Sequence, residues 1–284
     1  MPRIEDIFAE RRSAKKGALM PFVVAGYPPV KNPAVKPRPM ATSEVLAALD
    51  GAGASVIEVG FPFSDPIADG PVIAAAMHEA LEAGVTPAGI FDDVASIRPF
   101  IKAGLVAMVS VSIAWRWAGG PRGFVAAAAR AGFDGFIFPD APLEESGELL
   151  GACRDAGCTA SLLVAPTSPP ERVAAIAGAC TGFVYVLART GITGQATPQG
   201  EVAGRVGEAV KLVRRSTDLP VAVGFGITSA QDVRAVVAPP PAGAGADAAI
   251  VGSVIVKRMG ESASRGQDPS SAAAALVAEL AGGL

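Results

Sequence analysis

Histidine and cysteine are scarce in this chain, and their scarcity excludes several kinds of catalytic and metal site. One histidine occurs among the 284 residues, at position 78. His78 lies in a predicted helical run where an exposed position is expected, so we expect neither a histidine-based triad nor a multi-histidine metal site. The three cysteines, Cys153, Cys158 and Cys180, are odd in number and lack zinc-type spacing. They fit a reducing cytoplasm and small buried side chains.

Long apolar runs and long basic runs are also missing. No apolar stretch approaches the roughly 18 residues that a membrane-spanning helix needs. The formal net charge is -3, and no basic run is long enough to suggest binding to nucleic acid. Residues 1–12 are charged and helical, without the apolar core of a signal peptide. We therefore expect a cytoplasmic protein that binds neither membranes nor nucleic acid.

What the chain does contain is a regular alternation of apolar strands and amphipathic helices. After a helix predicted at Ile4–Lys15 come eight strand-like runs, each followed by a helical run. This alternation indicates a parallel sheet, and eight units in a chain of this length predict a closed (β/α)8 barrel with catalysis at the carboxyl ends of the strands. A doubly wound open sheet is the alternative, but no Gly-x-Gly-x-x-Gly follows the first strand. The predicted strands are Ala18–Ala25, Ser55–Gly60, Leu105–Val111, Gly135–Pro139, Thr159–Ala165, Phe183–Leu187, Pro220–Val223 and Ala248–Val251.

Three segments interrupt this alternation without a chemical signal. Residues 30–39 are rich in Lys and Pro and are expected to form a surface loop, as are residues 239–245. Residues 260–269 are expected to be a polar spacer before an Ala-rich closing helix at Ser270–Leu280. The length would allow two domains, but barrels of this size commonly form one. We expect residues 1–284 to form a single barrel domain with an additional N-terminal helix.

The stretch from Val56 to Pro71 carries the strongest chemical signal. It begins as a buried strand, ends as a Pro-rich loop, and contains Glu58, Asp65 and Asp69. Glu58 lies where both faces of a parallel strand are normally apolar, so its pKa should rise unless a cation pairs with it. One carboxyl group that holds a proton beside another that stays ionised is the arrangement that acid–base catalysis needs. A purely structural ion pair between Glu58 and a distant arginine is the alternative.

Glycine-rich turns follow the last three predicted strands. Gly224–Ile227 follows strand seven and Gly252-Ser253 follows strand eight. Barrels frequently bind phosphate there, through backbone N–H groups and a helix N-terminus. Glycine also marks ordinary tight turns, but two such motifs at neighbouring strand ends favour a phosphate site. The polar segment Arg189–Gly194 after strand six has the composition of a lid, or equally of an ordinary long loop.

Together these motifs resemble the tryptophan synthase alpha subunit family over nearly the whole chain. The most specific motif is I-E-V-G-F-P-F-S-D-P-I-A-D-G-P, at Ile57–Pro71. The order and spacing of six motifs make coincidence an unsatisfactory explanation. The other five lie at Gly17–Pro28, Pro139–Glu145, Arg189–Gly194, Gly224–Ile227 and Gly252–Lys257.

The resemblance implies a lyase that splits indole-3-glycerol phosphate into indole and glyceraldehyde 3-phosphate by retro-aldol cleavage, without a metal or an organic cofactor. It implies that Glu58 protonates indole C3 and handles the proton of the glycerol hydroxyl, while Asp69 stays ionised and accepts the indole N–H. Thr193 would hydrogen-bond Asp69 when the lid closes. The other implied site residues are Tyr185 near Glu58; Gly194, Gly224, Phe225, Gly226, Gly252 and Ser253 for the phosphate; and Phe22, Ile73 and Ile137 for the indole pocket.

The resemblance also implies a partner, the tryptophan synthase beta subunit, in an alpha2beta2 complex whose beta subunits hold pyridoxal phosphate. Asp65 and its loop would face that partner. Two departures bear on this coupling: Val111–Ala114 follows strand three where the family has Tyr-x-Asn, and residues 30–39 are an insertion. A stand-alone lyase that releases indole or acts on a related phosphorylated substrate, and a non-catalytic activator of a beta subunit, are the alternatives.

Overall fold

Eight parallel strands form the centre of the molecule. The computed structural model describes residues 4–32, 34–66, 69–188, 199–224 and 226–284. All strand pairs around the centre are parallel, as the alternation of strands and helices predicts. The strands are β1 (Ala18–Val24), β2 (Val56–Gly60), β3 (Gly104–Met108), β4 (Gly135–Ile137), β5 (Thr159–Ser161 and Leu163–Val164), β6 (Val184–Leu187), β7 (Val221–Gly224) and β8 (Ala248–Val251).

The sheet closes into a barrel at β5. The first part of this strand, Thr159–Ser161, pairs with β4, and the second part, Leu163–Val164, pairs with β6. Leu162 joins the two parts, so the ring of strands has no open edge there. The other neighbours follow chain order, with β1 between β2 and β8. The predicted (β/α)8 barrel is therefore confirmed, and the open-sheet alternative is wrong.

Helices surround the barrel, and the first one covers its amino-terminal end. None of the helices in the described ranges is long and apolar enough to cross a membrane. The helices are α1 (Ile4–Ser13), α2 (Thr42–Gly51), α3 (Pro71–Glu82), α4 (Pro87–Ile97), α5 (Val111–Arg116), α6 (Gly120–Ala131), α7 (Gly147–Asp155), α8 (Pro170–Ala179), α9 (Gln199–Arg214), α10 (Ala230–Val237), α11 (Ser253–Ser264) and α12 (Pro269–Ala281).

Helix α1 packs into the barrel from the end opposite the predicted catalytic face. Ile4 and Phe8 are buried in the same apolar cluster as the inward-facing strand residues. The ring of Phe8 lies 5.9 Å from the ring of Phe183, at the start of β6. Gly104 opens β3, and a Cβ atom there would lie 2.6 Å from Cδ1 of Ile4. A glycine at this position therefore lets α1 approach the strands closely and close the bottom of the barrel.

Two aspartates tie strand ends together on this same face. Asp134, just before β4, accepts hydrogen bonds from the backbone N–H of Leu105 at 2.8 Å and from Arg98 at 2.9 Å. Asp247, just before β8, accepts from the backbone N–H of Val221 at 2.7 Å and from Arg214 at 2.6 Å. The arrangement at Asp247 is the same as that at Asp134, and it lies four strands further round the barrel. Both satisfy backbone groups that would otherwise lie unpaired at strand starts.

The segment at residues 30–39 departs from the prediction. It is not a plain loop: Val30–Asn32 and Val35–Arg38 pair as a short antiparallel hairpin. Lys31 contacts Glu79 of α3 at 3.1 Å, which attaches the hairpin to the barrel. Valine at both strand starts favours the extended backbone, and the two-stranded ribbon tolerates Pro37 because each of its strands is an edge.

Two further predicted boundaries are wrong. Strand β3 ends at Met108, and Val111 begins α5, because the Ser110 side chain caps Ser112 and the Asp140 carboxylate accepts the Val111 N–H at 3.0 Å. The residues that follow this strand still include neither Tyr nor Asn. The predicted spacer at 260–269 also begins too early, since α11 continues to Ser264. Gly260 lies inside that helix. A Cβ atom there would overlap the hydroxyl of Tyr27, so the close approach of Tyr27 requires a glycine at this position.

Candidate active site

Glu58 points into the barrel from the middle of β2. It is fully buried, and its register partners are Phe22 on β1 and Val106 on β3. Neither carboxylate oxygen has a hydrogen-bond partner among the residues that the structure describes. Burial raises the pKa of Glu58 well above its ordinary value, because the charged form loses its hydration. Within those described ranges no arginine pairs with this carboxyl group, so the structural ion pair has no support.

Asp69 lies in the loop between β2 and α3, and it is half-buried. Its backbone N–H donates to the carbonyl oxygen of Pro66 at 3.2 Å. Burial raises the pKa of Asp69 to about 6. Asp65, four residues earlier, is exposed and accepts a hydrogen bond from the Ser64 hydroxyl. The two loop carboxylates therefore have different environments, and Asp69 is the one near the site.

Tyr185 on β6 connects the two carboxyl groups electrostatically. Its side chain is 4 % exposed and belongs to the apolar cluster inside the barrel. Burial raises the pKa of Tyr185 well above its ordinary value, and the charges of Glu58 and Asp69 raise it further. Glu58 and Asp69 therefore both lie within electrostatic range of Tyr185. The phenol therefore keeps its proton at neutral pH.

The glycines at the ends of β2 and β7 leave room for aromatic rings. A Cβ atom on Gly60 would lie 2.5 Å from Cζ of the Phe22 ring. A Cβ atom on Gly224 would overlap the Tyr185 hydroxyl. These two glycines give both rings the space they occupy beside Glu58.

The three residues expected to form the indole pocket fall into two neighbouring apolar clusters. Phe22 and Ile73 pack together with residues of α3 and α11. Ile137 is fully buried with Tyr185 inside the barrel. Met108, at the end of β3, packs against both clusters. Met108, which joins these parts of the pocket, was not among the predicted site residues.

Sequence reasoning missed three apolar residues at the mouth. Met108, Leu163 and Leu187 are only partly buried, and all three pack against the cluster inside the barrel. They lie at the carboxyl ends of β3, β5 and β6, and Leu163 is the register partner of Tyr185. The period of two along each strand would have found them, since Met108 is two residues beyond Val106, the register partner of Glu58. That signal required the strand register, which the sequence did not provide.

The predicted phosphate residues that the structure describes lie at the ends of two neighbouring strands; they are Gly224, Gly226, Gly252 and Ser253. Gly224 on β7 pairs with Ile250 on β8, so the turns containing Gly226 and Gly252 follow side by side. Gly226 has a φ of +82°, which favours glycine. Gly252 precedes α11, which begins at Ser253, and no described side chain caps the first amide groups of this helix. These groups, with the partial positive charge of the helix N-terminus, are suited to an anion.

The neighbouring helix is capped differently. Ser229 and Asp232 form a reciprocal capping box at the start of α10. The Asp232 carboxylate also accepts the Thr228 N–H at 2.9 Å. The side chain of Asp232 therefore already occupies the amide groups at this helix start, and the anion-binding capacity lies at α11. Thr193, Gly194 and Phe225, the other predicted site residues, lie outside the described residues, as does the predicted lid at 189–194.

Residues that were expected to have no catalytic role lie away from this site. The His78 side chain is 73 % exposed on α3. The three cysteines are free, and Cys153 and Cys180 are buried as small apolar side chains. Burial raises the pKa of the Cys180 thiol to about 11, which opposes thiolate chemistry.

Comparisons with known proteins point to one family. The sequence model of the tryptophan synthase alpha chain matches residues 8–282. The tryptophan synthase alpha chain of Rippkaea orientalis is 39% identical over 262 residues, covering 92% of this chain and 91% of the relative. That of Halorhodospira halophila is 42% identical over 267 residues, covering 92% and 89%.

Solved structures agree with the sequence comparisons. The structure is similar to tryptophan synthase of Mycobacterium tuberculosis, with a TM-score of 0.82, 33% identity and coverage of 99% of this chain and 97% of that chain. It is also similar to tryptophan synthase subunit alpha of Legionella pneumophila, with a TM-score of 0.83, 27% identity and coverage of 100% and 98%. The chain belongs to the tryptophan synthase alpha chain family.

Proposed function

We propose that Glu58 and Asp69 are the acid–base pair with which this tryptophan synthase alpha chain cleaves indole-3-glycerol phosphate to indole and glyceraldehyde 3-phosphate. The chain is a carbon–carbon lyase of L-tryptophan biosynthesis. One observation carries the assignment of the pair. Glu58 is fully buried with both oxygens unpaired among the described residues, and it lies within electrostatic range of Tyr185, as does Asp69. Burying a carboxyl group without a hydrogen-bond partner lowers the stability of the fold, so a role in stability does not explain Glu58.

The cleavage requires one proton to be delivered and another to be removed. Glu58, held in its protonated form by burial, gives its proton to C3 of the indole ring. The bond between C3 and the adjacent glycerol carbon then breaks, and its electron pair restores the aromatic ring. The hydroxyl on that carbon loses its proton to the Glu58 carboxylate and becomes the aldehyde carbonyl. Glu58 ends the cycle protonated, and the reaction consumes neither water nor a redox equivalent.

Asp69 stabilises the intermediate in which the ring is protonated at C3. That species carries a positive charge shared with the ring nitrogen, and an ionised carboxylate that accepts the indole N–H lowers its energy. The pKa of about 6 leaves Asp69 mostly ionised at neutral pH. Burial makes the interaction stronger than it would be in water. The two carboxyl groups thus take opposite roles because Glu58 is the more deeply buried of the two.

The phosphate of the substrate binds at the start of α11. The amide groups that follow Gly252 and the turn at Gly226 supply backbone donors. Phe22, Met108 and Ile137 surround the indole ring on the other side of Glu58. This arrangement places the bond to be broken between an apolar pocket and an anion site.

The wider assignments follow from family membership. The chain acts with a tryptophan synthase beta subunit in an alpha2beta2 complex, where pyridoxal phosphate belongs to the partner and the alpha reaction uses only side chains of this chain. Asp65, exposed at the barrel mouth, is on the face that meets this partner. Residues 1–284 form one barrel domain, and the three free thiols suit the cytoplasm.

The test is indole formation by Glu58→Gln, with the exposed Asp65→Asn as the matched carboxylate control, each assayed alone and with a beta subunit. The expected result is activity at background for Glu58→Gln and near normal intrinsic activity for Asp65→Asn. Near-normal indole production by Glu58→Gln would show that the acid–base assignment is wrong. A native chain that forms no indole but accelerates the beta subunit would instead establish a non-catalytic activator.

A further inference from the structure

The mouth of the barrel has one side chain that belongs to both halves of the aromatic pocket. Of the partly buried apolar residues in the described ranges, Met108 is the one that packs both against the cluster of Tyr185 and Ile137 and against the cluster of Phe22 and Ile73. It is also the only residue of β3 that is not fully buried. Its side chain is therefore partly exposed at the carboxyl end of β3, two residues beyond Val106, the register partner of Glu58.

Strand β2 lies between Phe22 on β1 and Met108 on β3, and it contributes no side chain at the level of Met108. Gly60 on β2 is the register partner of Met108, and Ile137 on β4 is its partner on the other side. Because Gly60 has no Cβ atom, the Phe22 ring lies over it, 2.5 Å from where a Cβ would be. The Met108 thioether is thus the adaptable part of this wall, between the buried side chains of Phe22 and Ile137.

We infer that Met108 sets the size of the aromatic ring that the pocket accepts, and that its flexible thioether admits indoles with a small substituent on the benzene ring. This inference rests on the proposed function. Methionine is unbranched, has three rotatable side-chain bonds and makes favourable contacts with aromatic rings. It can move aside at the solvent-facing end of the strand, whereas Phe22 and Ile137 are held by surrounding side chains. A stiff residue in its place would fix the width of the pocket.

The experiment measures condensation of glyceraldehyde 3-phosphate with indole and with a benzene-ring methylindole, and takes the ratio of the two kcat/KM values. This ratio does not depend on the folded fraction of a preparation. The native enzyme should use the methylindole within about tenfold of indole, since one methyl group in an apolar pocket changes rates by about 10- to 200-fold when the wall cannot adapt.

Two variants separate flexibility from volume. Met108→Ile keeps a similar apolar volume but is branched at Cβ and stiff, so it should lower the methylindole-to-indole ratio at least about tenfold. Met108→Ala enlarges the pocket and should raise the methylindole-to-indole ratio. Met259→Ile changes a methionine that is buried in the outer layer, and it should leave the ratio unchanged.

The outcomes also distinguish this inference from the function on which it rests. A ratio that stays within about twofold in both Met108 variants, or a native enzyme that rejects the methylindole about 100-fold, would overturn the role of Met108. If the role of Met108 is overturned while Glu58→Gln, assayed in parallel, is inactive on indole, only the inference about Met108 fails. If Glu58→Gln is active, the acid–base assignment fails whatever the ratio shows.

Discussion

Gly224 on β7 leaves the space that the hydroxyl group of Tyr185 on β6 occupies. The register partner of Tyr185 is Ala222, two residues before Gly224, so the tyrosine ring leans toward the mouth of the barrel. A Cβ atom at position 224 would overlap the hydroxyl oxygen and lie 2.8 Å from Cζ of the ring. The absence of a side chain on one strand therefore decides where a polar group on the next strand can lie.

Gly224→Ala should displace the Tyr185 hydroxyl from the site and lower kcat/KM at least about tenfold, because small misplacements of a site group are costly. Tyr185→Phe in the same chain removes the closest of the overlapping atoms. The double variant should therefore be more active than Gly224→Ala alone, although Tyr185→Phe by itself lowers activity. Steady-state kinetics of the three variants measure this coupling. Wild-type kinetics for Gly224→Ala would contradict the steric relationship.

The sequence was sufficient for the barrel and for Glu58. Alternating strand and helix patterns are local, and a glutamate inside an apolar strand is conspicuous without any knowledge of its neighbours. The sequence predicted that Glu58 lacks a cationic partner because no basic residue lies near it along the chain. In the fold, none of the described residues pairs with its carboxyl group.

Relationships between strands could not be predicted. The overlap of Tyr185 with position 224, and the place of Met108 between two clusters, depend on register, which the sequence of one strand does not specify. Phe22, Ile73 and Ile137 are ordinary core residues by composition, and the resemblance alone singled them out. The hairpin at residues 30–39 was missed because its lysines and prolines suggest a loop, and two valines are a weak strand signal.

Glu58→Gln should stabilise the folded protein at neutral pH while it abolishes activity. In the folded state Glu58 keeps its proton at pH values above its unfolded pKa of about 4.3. Burial of Glu58 therefore lowers the free energy of unfolding progressively as the pH rises from that pKa toward the raised pKa of the folded state. Glutamine does not titrate, and the difference in unfolding free energy should therefore grow as the pH rises above the unfolded pKa of about 4.3. Urea denaturation across this range measures it. The exposed Glu44→Gln is the control, and a pH-independent difference for Glu58→Gln would contradict the account.

Activity should fall at low pH as Asp69 becomes protonated. Its raised pKa places the acid limb of the kcat/KM profile near about 6, since only the carboxylate can stabilise positive charge on the indole ring. Asp69→Asn should lower kcat/KM about 100-fold and remove this limb. Asp65→Asn should keep both the rate and the limb. Persistence of the limb in Asp69→Asn would assign it to another group.

Anions should bind at the start of α11. Inorganic phosphate should inhibit competitively against the phosphorylated substrate, because it occupies the amide groups after Gly252. Ser253→Asp would place a negative charge there and should raise the substrate KM with a smaller effect on kcat. Ser271→Asp, in the first turn of the next helix α12, is the matched control. Unchanged phosphate inhibition in Ser253→Asp would exclude this helix start as the anion site.

The buried pair of Arg98 and Asp134 should matter for stability and not for catalysis. Arg98 is 4 % exposed, its Nε has no partner among the described residues, and it holds Asp134 at the end of the barrel away from the site. Arg98→Met leaves Asp134 buried without its cation and should lower the unfolding free energy by about 3 kcal/mol. Arg122→Met breaks a pair with Asp155 in which both side chains are more than half exposed, and should cost less than about 1 kcal/mol. Both variants should retain native kcat/KM at temperatures where they are folded, because neither arginine lies near Glu58. Equal losses of stability in the two variants would mean that burial of the first pair contributes nothing.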